Sequence, residues 1–150
     1  MTVTDDKNEK QVVSKQRVAD HGEVYTAKRE VNAMLDLVKE ETERIDSRFL
    51  EPACGNGNFL VEILNRKMEA VRRKHAKNRY EYDLASAQAV SSMYGVELLP
   101  DNVEICRNRL LNQYLETYRQ HQSDDASSDL EQCIRFLLKK NILTISQYLP

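Results

Sequence analysis

The chain is poor in the residues that build cross-linked or metal-bound folds. It has no tryptophan, and only three of its 150 residues are cysteine. Cys54, Cys106 and Cys133 are widely spaced and form no CxxC pair, which argues against a disulfide framework and against a zinc site. The histidines are too scattered to suggest another metal. We therefore expect no metal and a reducing, cytoplasmic setting.

An excess of positive charge and long apolar runs are also missing. The formal net charge is -2, whereas a protein that grips many phosphates by itself usually shows a basic excess. If nucleic acid is the substrate, much of the positive charge that contacts its phosphates must come from outside this chain. No stretch approaches the roughly 18 apolar residues of a membrane span, and the N-terminal MTVTDDKNEK has no apolar core. We expect neither export nor a membrane anchor.

The remaining composition suits one ordinary domain, since 41% of the residues are hydrophobic. Residues 1–18 are polar and charged and predict a flexible N-terminal arm. Residues 19–150 then form the folded domain. Strand-like and helix-like segments alternate along it, which predicts a parallel α/β sheet. In chain order we predict a helix at 29–44, a strand at 48–50, a helix from 58, a short helix at 84–90, a strand at 93–97, a helix from 100, a polar loop at 122–129, a helix at 133–138 and a strand at 141–145.

A glycine turn separates the first strand from the helix that follows it, in the stretch EPACGNGNFL. Gly55 and Gly57 let the backbone come close to a ligand, because glycine accepts positive φ and has no Cβ. The dinucleotide pattern G-x-G-x-x-G would place a third glycine at Leu60, so a diphosphate ligand is less favoured. Glu51 at the strand end would repel phosphates and suits a cationic group.

The second strand ends in another acid, Glu97. A carboxylate at this place is the expected partner of two ribose hydroxyls. Glu97 lies forty residues after Gly57, about twice the usual dinucleotide spacing of roughly 20, so residues 66–92 must include a helical insertion. A cationic, ribose-bearing cofactor without a diphosphate fits best, and S-adenosylmethionine meets that description.

Simpler interpretations exist for several of these features. Cys54 could be a nucleophile, but no His or Asn arrangement supports this, and a small residue packed under the turn is the better interpretation. The basic run 66–79 is typical of a solvated helix face, with DNA contact as the alternative. A glycine turn and a strand-end acid can each be merely structural.

Three segments together resemble the N-terminal part of an N6-adenine DNA methyltransferase of the restriction-modification kind, in the γ-class order of motifs. HGEVYTAKREVNAML, residues 21–35, is similar to motif X, with Ala27 in place of the usual proline. FLEPACGNGNFL, residues 49–60, resembles motif I at nearly every position. YGVELLPDNVEICRNRL, residues 94–110, resembles motif II.

The resemblance implies an incomplete Rossmann-like, S-adenosylmethionine-dependent methyltransferase fold of about three parallel strands with flanking helices. It implies that Glu97 holds the ribose and that Leu98 packs on the adenine. Where the family carries an acid for the adenine amine, NILTISQYLP has no Asp or Glu. The cofactor-binding residues carried over by the resemblance are Tyr25, Thr26, Glu51, Pro52, Ala53, Cys54, Gly55, Gly57, Phe59, Glu97 and Leu98.

The family's catalytic motif IV, N/D-P-P-Y/F, is absent, because the only prolines are Pro52, Pro100 and Pro150. We therefore predict no catalytic residue in this chain, no methylation by the chain alone, and contact with DNA only as part of a larger complex. The expected partner is a C-terminal methyltransferase chain that carries N-P-P-Y and target recognition. Self-association through an exposed third strand, with an apolar patch around 142–148, is the alternative.

Two other functions stay open on the sequence. One is a non-catalytic module that binds S-adenosylmethionine or a methyltransferase subunit and regulates it. The other is an enzyme with a small-molecule acceptor, which is weaker because only three strands can be placed.

Overall fold

The computed structural model describes residues 14–21 and 25–149. Within them, three strands form one parallel sheet in the order β1-β2-β3, so that β2 is central and β1 and β3 are both edges. This confirms the predicted α/β class and the incomplete Rossmann-like sheet. The strands are β1 (Phe49–Glu51), β2 (Met93–Glu97) and β3 (Ile142–Thr144).

The helices occupy most of the remaining described chain. Between β1 and β2 lie two helices, so an extra helix accounts for the long spacing from the glycine turn to Glu97. No helix of the described residues is long and apolar enough to cross a membrane. The helices are α1 (Lys15–His21), α2 (Lys28–Asp36), α3 (Lys39–Thr42), α4 (Asn58–His75), α5 (Arg79–Ser91), α6 (Pro100–Gln122), α7 (Ser128–Asn141) and α8 (Ile145–Tyr148).

The hydrophobic core lies between α4, α5, α6 and α7 and one face of the sheet. Alternate strand residues point into it, among them Met93 and Ile142, which are both buried. The chain moves in one direction across the sheet from β1 to β3, and right-handed connections in one direction place their helices on one face. The opposite face carries Leu50, which pairs with Tyr94, and Leu143, which pairs with Val96.

The periodicity of α4 and α6 predicted their buried faces correctly. Apolar residues at helical spacing in the sequence predict one buried face on each helix, and the structure buries every position of these two faces: Leu60, Ile63, Leu64, Met68, Val71, Val103, Cys106, Leu110 and Tyr114.

The single helix predicted at 29–44 is wrong, because helix α2 ends at Asp36 and a second helix, α3, begins at Lys39. Val38 leaves the helical conformation at φ -124° and ψ 35°. As a result Val31 and Leu35 are buried whereas Met34 and Val38 are exposed. The break lets the chain turn so that Thr42 and Ile45 are buried as well. Residues 1–13 of the predicted arm lie outside the described residues, and α1 begins at Lys15.

Lys67, in the basic stretch of α4, is fully buried. Its Nζ donates to the carbonyl oxygens of Arg44 at 2.7 Å, Ile45 at 3.1 Å and Ser47 at 2.7 Å. Burial lowers the pKa of Lys67 to about 8, so at neutral pH it remains an ammonium with three donors for three acceptors. The basic run is therefore not simply a solvated face: Lys67 fixes the segment that leads into β1.

The turn between β1 and α4 depends on its two glycines. Gly55 has φ +54° and Gly57 has φ +95°, values that L side chains rarely adopt. A Cβ at Gly57 would come within 2.9 Å of the Cys106 Sγ on α6. Gly57 is thus constrained both by its backbone and by the close approach of a neighbouring helix.

Replacing Lys67 by methionine should lower the free energy of unfolding by about 1–3 kcal/mol, because three carbonyls lose a charged donor. Urea denaturation would measure this. Lys74→Met is the matched control, since Lys74 lies on the same helix and is exposed. Equal effects of the two substitutions would contradict the role given to Lys67.

Gly57→Ala should destabilise the protein more than Gly55→Ala. A left-handed backbone costs a non-glycine residue about 1–2 kcal/mol at both positions. At Gly57 the added methyl would also lie 2.9 Å from the Cys106 Sγ, whereas at Gly55 its nearest neighbour would be the Tyr25 ring at 3.4 Å. Combining Gly57→Ala with Cys106→Ala should show a favourable coupling in a double-mutant cycle measured by urea denaturation. Strict additivity would show that the sulfur contact is unimportant.

Candidate functional site

A cleft of about 420 Å³ opens at the carboxyl ends of β1 and β2, the place where open parallel α/β sheets bind ligands. Of the residues predicted for cofactor binding, Gly57 alone does not line it, and lies instead against Cys106 beneath the turn. The predicted residues that line the cleft are Tyr25, Thr26, Glu51, Pro52, Ala53, Cys54, Gly55, Phe59, Glu97 and Leu98.

Glu97 is held in a fixed orientation by the backbone that follows it. Its Oε1 accepts the N–H groups of Leu98 at 2.7 Å and Leu99 at 3.2 Å, at the start of α6. Its Oε2 lies beside the glycine turn, 3.9 Å from the position of a Cβ built on Gly55. One oxygen is therefore anchored and the other is left to accept hydrogen bonds from a ligand in the cleft.

Negative charge dominates the lining. Among the described residues that line it, Glu51 and Glu97 are the charged ones, and both are carboxylates. The Oε1 of Glu51 accepts the N–H of Ala53 at 3.2 Å, which fixes the acid at the first step of the turn. Such a lining attracts a cation and disfavours a phosphate.

Cys54 lies under the turn, where it is buried. Its N–H donates to the Val96 carbonyl at 3.0 Å, which continues the contact of β1 with β2 past the end of the strand. Hydrogen bonding to the Cys106 thiol, together with burial, raises the pKa of the Cys54 thiol. Since the thiolate is the nucleophilic form, this environment suits a packed thiol and not a nucleophile.

The segment at Tyr25 and Thr26 is tied to the cleft from two sides. The Tyr25 hydroxyl donates to the Oδ1 of Asn102 at 3.2 Å. The Thr26 carbonyl accepts from the Nδ2 of Asn58 at 2.9 Å. Asn58 begins α4, the helix that follows the glycine turn, and Asn102 lies on α6, the helix that follows β2. Both helices therefore fix this wall of the cleft.

Arg109 of α6 holds the turn itself. One of its guanidinium nitrogens donates to the Asn56 carbonyl at 3.0 Å and to the Oδ1 of Asn58 at 2.8 Å. Arg109 and Asn58 therefore link α6, the glycine turn and the Thr26 segment in one hydrogen-bond network. This arrangement preorganises the cleft before any ligand arrives.

Sequence reasoning missed four of the lining residues: Asn56, Asn58, Leu99 and Ile145. Asn56 and Asn58 stand at unspecified positions of the glycine motif, so no pattern marked them. Ile145 follows β3, next to the place where an acid was sought and is lacking.

Asn56 has a buried side-chain acceptor, its Oδ1, that the described residues leave unpaired. A buried acceptor without a partner costs about 1–3 kcal/mol, so a ligand donor at this point of the cleft would be favoured. Together with the two carboxylates, this acceptor makes the cleft rich in groups that accept hydrogen bonds. In the described part of the chain, no group of three or more His, Cys, Asp or Glu side chains could hold a metal.

Comparison with known proteins agrees with this geometry. The family described as MmeI, DNA-methyltransferase domain, matches residues 24–142, a span that includes the glycine turn, Glu97 and the whole sheet up to the start of β3. No curated protein and no solved structure matches the chain. Because the match covers most of the sequence, the chain belongs to the MmeI DNA-methyltransferase domain family and is a portion of a restriction-modification DNA methyltransferase.

Proposed function

We propose that the cleft binds S-adenosylmethionine and that the chain is the cofactor-binding portion of a site-specific N6-adenine DNA methyltransferase of the γ class. One observation carries the proposal. Residues from three distant segments, represented by Tyr25, Gly55 and Glu97, line one cleft, and the charged groups that the described residues contribute to it are two carboxylates. A sulfonium cofactor with an ammonium and a ribose matches that lining in charge and in hydrogen bonding.

Each part of the cofactor has a chemically suitable group in the cleft. The free oxygen of Glu97 would accept from the ribose hydroxyls, and Leu98, with 55% of its surface exposed, would pack against the adenine. Glu51 and the Oδ1 of Asn56 are suited to the ammonium of the methionine part. Once bound, the cofactor supplies an electrophilic methyl group. The chain's residues orient it and balance its charge.

The adenine end of the cleft is apolar. Ile145 lines this end and precedes Ser146, which is near the place where the family carries an acid. Neither Ile145 nor Leu98 can accept a hydrogen bond from the adenine amine through its side chain. Binding would therefore depend mainly on the ribose and the methionine part. This places most of the recognition on Glu97.

Transfer to a base needs groups that this chain does not contain. The target adenine must be flipped from the duplex, stacked on an aromatic ring and hydrogen-bonded through its amine. The N-P-P-Y motif that would do this is absent from the sequence. We infer that catalysis and target recognition come from a complementary half of the methyltransferase, and that DNA is bound only in the complete assembly.

The strand order suggests where that half joins. The order β1-β2-β3 corresponds to one half of the doubly wound order 3-2-1-4-5-6, in which the next strand lies beside β1. The alternative given by the sequence is self-association through the exposed third strand, with an apolar patch around 142–148; of these residues Ile142 is buried and Tyr148 is exposed. We therefore propose the free edge of β1 as the joining edge.

Calorimetric titration of the purified chain with S-adenosylmethionine tests the cofactor proposal. Glu97→Gln should weaken binding by roughly 1.5–3 kcal/mol, because a charged acceptor is replaced by a neutral one. Glutamine keeps a carbonyl oxygen for the N–H groups of Leu98 and Leu99, so the start of α6 should be preserved. Glu116→Gln, at an exposed position of the same helix, is the matched control and should bind like the parent chain.

Binding that Glu97→Gln leaves unchanged would contradict the role of the cleft. No binding by the parent chain would mean that the site is incomplete without the complementary half. Binding combined with no methylation of DNA in the presence of that half would favour a regulatory module instead.

A further inference from the structure

One face of the sheet is covered in the described structure only by the short helix α8, on the side of β3. Leu50 of β1, Tyr94 and Val96 of β2 and Leu143 of β3 share this face and line a second cavity of about 440 Å³ with Tyr148. Leu50 is 56% exposed, Tyr94 37% and Tyr148 57%. We call this surface the uncovered face.

An apolar face of this kind is unusual for a parallel sheet. Parallel strands normally have both faces covered, because their connections place helices on them. Here the core formed by α4 to α7 covers the face of Met93 and Ile142 only. A contiguous exposed apolar surface marks an interaction site.

The charged residues that line the cavities at the uncovered face are cationic. Arg48 and Lys140 line its cavity, and Lys139 lines a neighbouring one with Lys140 and the exposed Phe136. Neither cavity has an acidic residue in its lining. Two copies of the chain placed face to face would bring like charges together, whereas a partner with acidic flanks would be attracted.

Connection handedness indicates the shape of the partner. The connections from β1 to β3 run in one direction and cover one face, so a right-handed connection that returns from β3 to a strand beside β1 must cross the opposite face. That opposite face is the uncovered one. Tyr148 of α8, directly after β3, already lies on it.

We propose that the uncovered face docks an amphipathic helix with acidic flanks, which leads into a parallel strand beside β1. The occupant is the complementary half of the methyltransferase domain, so this inference rests on the proposed function. Leu50, Tyr94 and Leu143 supply the apolar contact, and Arg48 and Lys140 supply the charge complementarity. Cofactor cleft and docking surface then meet at β1, since Glu51 ends the strand that carries Leu50.

The test is co-expression of the full chain with a probe fragment: the part of a methyltransferase domain of the matched family that follows the segment equivalent to β3 and carries N-P-P-Y. Affinity would be measured by calorimetry on the separated partners. Leu50→Gln should weaken binding of the fragment at least about tenfold. Leu84→Gln is the matched control, because Leu84 is also 56% exposed and lies on α5, away from the sheet face; it should bind like the parent chain.

The charge contribution has its own variant. Arg48 and Lys140 are both exposed, so the pair Arg48→Glu with Lys140→Glu should fold normally, weaken the fragment about fivefold or more and abolish most of the salt dependence of binding. In the parent complex, amides of β1 should gain protection from hydrogen exchange.

Three results would overturn the proposal. One is absence of binding between the parent chain and the fragment, and another is an equal effect of Leu50→Gln and Leu84→Gln. The third is a dimer of the chain alone that Leu50→Gln dissociates, since a second copy would then be the occupant. Glu97→Gln should leave fragment binding unchanged, which separates failure of docking from failure of cofactor binding.

Discussion

The close packing of the glycine turn against α6 is the constraint on which the rest of the structure depends. The chain must pass from β1 to α4 through two residues of positive φ, and at Gly57 the Cys106 sulfur leaves no room for a side chain. This contact sets the distance between α4 and α6. It also places Gly55 opposite Glu97, so the same packing that joins two helices creates the floor of the cleft.

Cations and carboxylates occupy different places around the glycine turn. Near the start of β1 the buried ammonium of Lys67 is satisfied by three carbonyls, and Arg109 satisfies acceptors of the turn. The cations thus fix the backbone from outside the cleft, while the charged residues of its described lining are the carboxylates Glu51 and Glu97. A cleft built this way favours a cationic ligand and leaves one orphaned acceptor, at Asn56, for it to satisfy.

The cleft lies at β1, an edge strand of the sheet. β1 contributes Glu51 to the cleft, Leu50 to the uncovered face and a free edge to the sheet. In a doubly wound fold, this is the strand at which the order reverses and the ligand binds. The proposed cofactor site and the proposed joining edge therefore involve the same strand.

The sequence by itself determined what depends on neighbouring residues: the parallel α/β class, the buried stripes of α4 and α6, the glycine turn, and the segments that supply Tyr25, Glu51 and Glu97. Tertiary structure alone decided the break at Val38, the burial of Lys67, the roles of Asn56 and Arg109, and the uncovered face. Local periodicity cannot report these, because each depends on partners distant along the chain. Arg109 and Asn56, for example, are 53 residues apart. The three-residue strands β1 and β3 are likewise too short for alternation to show which face lacks a covering layer.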